Sequence, residues 1–187
     1  MNAQLCWNLL STQLHPMDVP VNPCWPRIYM TLFDVVRTLQ PASIVEIGVR
    51  TGYSAFAMLC AAPRARMLGI EKDGDSWTED THGGQRGLWQ WADRIMRPFD
   101  YQLLLADSHQ IKRLPMCDLV YVDGDHSFDG ALADLELAHR STQTILVDDY
   151  STAATVSQAT RQFLDMHGEY RQTFYDNGST GLLLLRR

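Results

Sequence analysis

One short run constrains the fold more than any other: Ile44-Val45-Glu46-Ile47-Gly48-Val49-Arg50-Thr51-Gly52-Tyr53-Ser54. Ile44, Val45 and Ile47 are β-branched and apolar, as a buried parallel strand requires. Gly48 and Gly52 permit a tight turn and close backbone approach. A helix is predicted from Tyr53 to about Cys60, stopped by Pro63. Its N-terminal amides and positive dipole end face the turn, so a ligand with a negative group belongs there. The spacing is G-x-x-x-G rather than the G-x-G-x-x-G of dinucleotide folds, which argues against a nicotinamide dehydrogenase.

The rest of the chain alternates strand and helix. Pro26 suits the first turn of a helix whose apolar face is Ile28, Leu32, Val35, Val36 and Leu39, ended by Pro41. Arg66–Glu71 reads as the second strand and residues 73–87 as a polar surface loop. Leu88, Trp91, Ala92 and Ile95 share a helical face before Pro98, so Trp91 is expected in the core. Trp77 and Trp89 are open between a ligand wall and a structural role. Tyr101–Asp107 and Cys117–Asp123 read as strands three and four. A helix with Phe128, Ala131, Leu132 and Leu135 on one face comes next, then strand five, Thr144–Asp149. Ser151 or Thr152 is expected to cap the helix carrying Val156, Ala159, Phe163 and Leu164. Asp176-Asn177-Gly178 is a turn signal that pairs Tyr170–Tyr175 with Gly181–Leu185 as an antiparallel hairpin.

This pattern predicts an α/β fold with a Rossmann-like, seven-stranded, mostly parallel sheet, an antiparallel C-terminal hairpin and helices on both faces. Residues 1–24 are weakly patterned and broken by Pro16, Pro20 and Pro23. They are expected to be an N-terminal arm or flap, most simply a loosely packed end, ahead of one domain over residues 25–187. A homodimer built through that arm is also open.

A formal net charge of −6 disfavours a nucleic-acid partner. No apolar run approaches a membrane span and no secretory signal is visible. The four cysteines lack C-x-x-C spacing. Cytoplasmic location with buried thiols is the expectation.

Ligands of parallel sheets bind beyond the C-terminal strand ends. Glu46, Glu71, Asp107, Asp123, Asp148 and Asp149 are all expected at such ends, whereas merely solvated acids would scatter over loops and helices.

Residues from about Trp25 onward resemble class I S-adenosylmethionine-dependent methyltransferases. Val45–Ala55 resembles the catechol O-methyltransferase form of the first motif. Asp123-Gly124-Asp125-His126-Ser127-Phe128 is similar to small bacterial methyltransferases acting on sugars and natural products. Ile145-Leu146-Val147-Asp148-Asp149-Tyr150 is similar to strand five of metal-dependent sugar and macrolide O-methyltransferases. The resemblance implies that Glu46, Gly48, Arg50, Gly52 and Ser54 surround the methionine part of S-adenosylmethionine. Arg50 departs from the usual residue and is expected to pair with Glu46 or the cofactor carboxylate. Glu71 would accept from the ribose hydroxyls, Asp107, Ser108 and His109 would flank the adenine, and Asp123 would border the cofactor.

For the chemistry, the resemblance implies a Mg2+ ion on Asp123, Asp148 and Asp149, hard oxygen donors suited to it. The plain alternative is that Asp149 caps the following helix and Asp148 is solvated. Carboxylates this close require a cation or a basic partner. The expected general base is His126 or Asp125, with His126 favoured because imidazole titrates near neutrality. The expectation is methyl transfer to a hydroxyl of a sugar, polyol or phenol, Mg2+-assisted. The alternatives are metal-free O-, N- or carboxyl-methylation with His126 as base, or a non-catalytic cofactor-binding protein. The Pro-Gly-Gly common before strand five in relatives is absent between His139 and Thr144.

Overall fold

The computed structural model describes residues 1–18, 21–72 and 87–187, apart from the Met17 side chain. The surface loop expected at 73–87 and Trp77 therefore lie, Gly87 excepted, outside the described residues. The described elements, in order, are α1 (Ala3–Ser11), α2 (Trp25–Leu39), β1 (Ser43–Ile47), α3 (Tyr53–Ala61), β2 (Arg66–Glu71) and α4 (Trp89–Met96). They continue with β3 (Tyr101–Leu105), β4 (Leu119–Val122), α5 (Phe128–His139), β5 (Thr144–Val147), α6 (Ala154–Met166), β6 (Arg171–Tyr175) and β7 (Leu182–Arg186). Short 3-10 turns occupy Pro16–Asp18 and Ser108–Gln110.

The seven strands form one sheet in the order β3-β2-β1-β4-β5-β7-β6. Strands β1 to β5 run parallel, and β7 enters antiparallel between β5 and β6. The order reverses between β1 and β4, and a crevice opens at such a switch point. Alternate residues divide the core. Ile44, Met67, Leu119, Tyr121, Leu146 and Leu184 face α1 to α4, while Val45, Ile47, Ile70, Val120, Ile145 and Leu185 face α5 and α6. That two-sided burial is why β1 and β4 are almost wholly apolar.

Two expectations are corrected. The α1 part of the N-terminal segment is not a loose end, because its Cys6 and Leu10 are fully buried in the α2–α3 core. The apolar stripe was hard to see because Leu5 and Leu9 of the same helix are exposed. Neither Ser151 nor Thr152 caps α6: Ala153 occupies that position with no side-chain bond. The Thr152 hydroxyl instead donates to Asp149 Oδ1 at 2.7 Å. Among the described residues no helix is long and apolar enough to cross a membrane.

Candidate active site

A cavity of about 690 Å3 opens at the C-terminal ends of β1, β2, β4 and β5. Its wall includes Gly48 to Thr51, Tyr53 and Ser54, Glu71 and Lys72, Asp107 to His109, Asp123 to Ser127, and Asp148 and Asp149. Trp25 and Tyr29 from α2 and Trp89 from α4 complete it. Most of the residues expected from the sequence thus meet in one space.

The glycine loop is built by two bonds. Glu71 Oε2, at the end of β2, accepts from the amides of Val49 at 2.9 Å and Arg50 at 2.7 Å. Gly48 has φ +90°, and a Cβ there would collide with the backbone of Asp123 and Gly124. The β1 turn and the β4 turn therefore touch backbone to backbone at the cavity floor. Gly52 and Glu46 stand behind the wall rather than on it. A Cβ on Gly52 would press on Ala92 of α4. Glu46 is fully buried; its Oε1 accepts from the Ser54 hydroxyl, and its Oε2 has no partner. Burial, reinforced by Asp123 and Glu71, holds its carboxyl well above the usual range despite the Ser54 bond.

The expected Arg50–Glu46 pair is not what the geometry shows: Arg50 Nη2 lies 3.2 Å from Asp18 Oδ1. The Tyr53 hydroxyl donates to Asp18 Oδ2 at 2.7 Å and accepts from the His15 amide. A segment with no readable pattern is thereby fastened to the glycine loop.

On the β3 side, Asp107 Oδ2 meets Lys72 Nζ at 3.0 Å and Oδ1 accepts from the His109 amide at 3.0 Å. The Lys72 bond, which outweighs desolvation, lowers the Asp107 carboxyl below its usual value. His109 Nε2 approaches Asp134 Oδ1 at 3.7 Å. Asp134 is wholly buried on α5, and burial raises its carboxyl. It was missed in the sequence, although an acid at the core-facing position beside Ala131, Leu135 and Ala138 was the available signal. Trp89 lines the cavity, and its indole N–H is buried with no partner among the described residues.

The acids after β4 and β5 separate into two kinds. Asp148 turns into the fold. It accepts from the Tyr121 hydroxyl at 2.6 Å, the Thr180 hydroxyl at 2.8 Å and the Asp149 amide at 2.8 Å. Tyr121 and Thr180 carried no sequence signal beyond a tyrosine inside an aliphatic strand. Asp149, with φ +52°, projects toward Asp123 and His126. His126 Nε2 lies 3.2 Å from Asp149 Oδ2 and 3.6 Å from Asp123 Oδ1. Single ligand atoms of Asp123, His126 and Asp149 all fall within 4.8 Å of one another. Of the expected donors Asp123, Asp148 and Asp149, Asp123 and Asp149 come together with His126, while Asp148 is not in that group.

The electrostatics follow from that packing. Burial and the Asp148 and Asp149 charges push the Asp123 carboxyl up to about 8, against the opposing pull of His126. Hydrogen bonding to Asp123, with the charges of Asp149 and Asp148, raises His126 to about 9 although burial opposes it. The His126 ring is thus placed as a basic partner of the kind that closely spaced carboxylates demand. Asp125 folds back on the start of α5: its Oδ1 accepts from the Ser127 amide at 2.8 Å and its carboxyl packs on Gly130. Although desolvation pushes the other way, the Ser127 bonds bring its value below normal. Neither of the two expected bases is therefore poised as a free base in this arrangement.

Comparison with known proteins agrees with the fold. A family described as "Methyltransferase domain" matches residues 45–150, more than half of the chain. No curated protein sequence matches. Among solved structures, a Podospora anserina methyltransferase bound to S-adenosylhomocysteine superposes with a TM-score of 0.66 at 15% identity, covering 100% of this chain and 88% of its own. An O-methyltransferase from Bacillus cereus, also in complex with S-adenosylhomocysteine, gives 0.59 at 16% identity, with 99% and 90% covered. The Streptomyces achromogenes O-methyltransferase TomG, solved with S-adenosylmethionine, gives 0.57 at 19% identity, with 98% and 86% covered.

Proposed function

This chain belongs to the methyltransferase-domain family and is a class I S-adenosylmethionine-dependent methyltransferase; from that premise we propose that it methylates a hydroxyl of a small sugar, polyol or phenol with the help of a divalent ion. The observation that carries this reading is the cluster of Asp123, His126 and Asp149 in the same cavity as the glycine loop.

The residues present fit both absent groups. The cavity has room for a nucleoside-sized ligand, and Glu71 and Asp107 line it with carboxylate acceptors suited to ribose hydroxyls and an exocyclic amine. Asp123 and Asp149 offer carboxylate oxygens to a cation. S-adenosylmethionine supplies the electrophilic methyl, and a bound divalent ion lowers the pKa of a coordinated hydroxyl and orients it.

This chain's residues do the positioning. The Glu71 carboxylate holds the amides of Val49 and Arg50 in a fixed loop, and its place at the end of β2 suits the ribose diol. Asp107 to His109 border the adenine side. Gly48 lets the loop approach the β4 turn, so the methionine portion and the acid cluster share one floor. Trp25, Tyr29 and Tyr53 form an aromatic wall around the cavity, with ring centroids 5.7–6.2 Å apart. That wall restricts water and favours in-line approach of an acceptor.

Metal-free transfer with His126 as base fits less well, because its Nε2 lies against Asp149 at 3.2 Å and Asp123 at 3.6 Å, contacts that favour the protonated ring over a free base. Calorimetry with S-adenosylhomocysteine, followed by methyl-transfer assays on catechols, sugars and polyols with and without chelator, tests the reading. Binding together with chelator-sensitive turnover is the expected result; turnover indifferent to chelator would remove the ion.

A further inference from the structure

We infer that Asp134 is a positioning residue for the cofactor: from behind the cavity wall its carboxylate holds the His109 ring, and with it the turn after β3, where the adenine side of the pocket forms. This rests on the reading that Asp107 to His109 border the adenine, and goes beyond it in assigning the group that fixes that border.

Asp134 lies on α5 among Ala131, Leu135 and Ala138, which belong to the apolar core under the sheet. It is fully buried. Neither of its carboxylate oxygens has a hydrogen-bond partner among the described residues. A buried carboxyl left without bonds costs stability, so an apolar side chain would serve packing better at this position. Fold stability therefore does not account for the acid.

Its surroundings do. Asp134 Oδ1 lies 3.7 Å from His109 Nε2. A Cβ on Gly124 would come within 2.7 Å of Asp134 Oδ2. Both His109 and Gly124 line the cavity. The carboxylate thus stands directly behind two separate pieces of wall, the turn after β3 and the turn after β4. Burial raises the Asp134 carboxyl, and the groups that draw it back are the Ser108 hydroxyl, the His109 ring and the Asp125 amide, all of them from cavity-lining residues.

The other edge of the ring is held as well. His109 Nδ1 lies 3.7 Å from Asp107 Oδ1, and Asp107 Oδ2 meets Lys72 Nζ at 3.0 Å. One carboxylate flanks the imidazole at the rim and another in the core. At 3.7 Å the gap to Asp134 exceeds a hydrogen bond of about 3 Å. A ligand packed on the cavity face of His109 presses the ring across that gap and gives the buried oxygen its donor. The bond so formed is charge-assisted, and cofactor binding collects its worth.

The test uses the full chain in four forms: parent, Asp134→Asn, His109→Ala and the double variant. S-adenosylhomocysteine and methylthioadenosine, which lacks the amino-acid end, are titrated into each by calorimetry, and each free protein is melted. Asp134→Asn should weaken both ligands by about tenfold, the worth of a bond to a charged group. Its melting temperature should equal or exceed the parent's, since the variant removes a buried carboxylate. His109→Ala should weaken both ligands too, and the double variant should bind no worse than His109→Ala alone, because the acid acts through the ring. Parental affinity in Asp134→Asn, losses that multiply in the double variant, a loss with S-adenosylhomocysteine but not methylthioadenosine, or a loss accompanied by a lower melting temperature each overturns the inference and leaves the adenine border standing. Parental affinity for both ligands in His109→Ala overturns that border and the inference together.

Discussion

Arg50 and Asp18 face each other at 3.2 Å, joining the turn after β1 to a segment more than thirty residues upstream. Asp18 is nearly buried and also receives the Tyr53 hydroxyl, so one carboxylate ties the glycine loop, the start of α3 and the N-terminal segment together. Removing it in Asp18→Ala leaves the Tyr53 hydroxyl and the Arg50 guanidinium without this partner. The Arg50 side is partly solvated and its share is discounted accordingly. A loss of about 1–2 kcal/mol is expected, seen as a melting point lower by roughly 3–8 °C. Hydrogen exchange over residues 1–18 should accelerate, and S-adenosylhomocysteine affinity should fall. Unchanged exchange there would show that the segment is held by α1 alone.

Gly48→Ala meets two obstacles at once. The position has φ +90°, and the added methyl would strike backbone atoms of Asp123 and Gly124, which cannot rotate away. The expected cost exceeds about 2 kcal/mol, with loss of detectable S-adenosylhomocysteine binding in calorimetry. A variant that binds normally would mean that the two turns can separate without consequence.

Glu46 makes stability depend on pH in a defined direction. Its folded-state value is raised by burial, so the folded chain holds a proton that the unfolded chain has already released. Stability from this group is fully present below the ordinary glutamate value, near 4.5, and is lost as pH rises from there through the elevated folded value. Glu46→Gln keeps an acceptor for Ser54 and removes the titration. Its melting point relative to the parent should therefore climb steadily between pH 5 and 8. A constant difference across that range would contradict a raised Glu46.

Trp89 lines the cavity, and its buried indole N–H has no acceptor among the described residues. If a bound ligand satisfies it, Trp89→Phe should weaken S-adenosylhomocysteine by about five-fold, the worth of one hydrogen bond. The change in tryptophan fluorescence on ligand addition should shrink in the same variant. Equal affinity and an equal fluorescence change would place the ligand away from α4.

The sequence by itself determined the sheet and most of the rim. Short aliphatic runs ended by acids are legible because a strand buried on both faces tolerates little else, and because the turns after such strands all open on one edge. That logic placed Glu71, Asp107, Asp123 and Asp149 around one cavity, and Asp176-Asn177-Gly178 announced the β6–β7 hairpin. Tertiary structure decided which acid does what. Glu46 and Ile47 are neighbours in one strand, yet the two-residue alternation turns Glu46 into the α3 core, where the Ser54 hydroxyl meets it. Asp148 and Asp149 are adjacent in sequence and opposite in fate: Tyr121 and Thr180 draw the first inward, and a left-handed backbone turns the second toward His126. The Asp18 clamp was illegible for the same reason. Its partners are distant along the chain, and a contact of that kind has no local period to betray it; only packing brings the two ends of such a bond together.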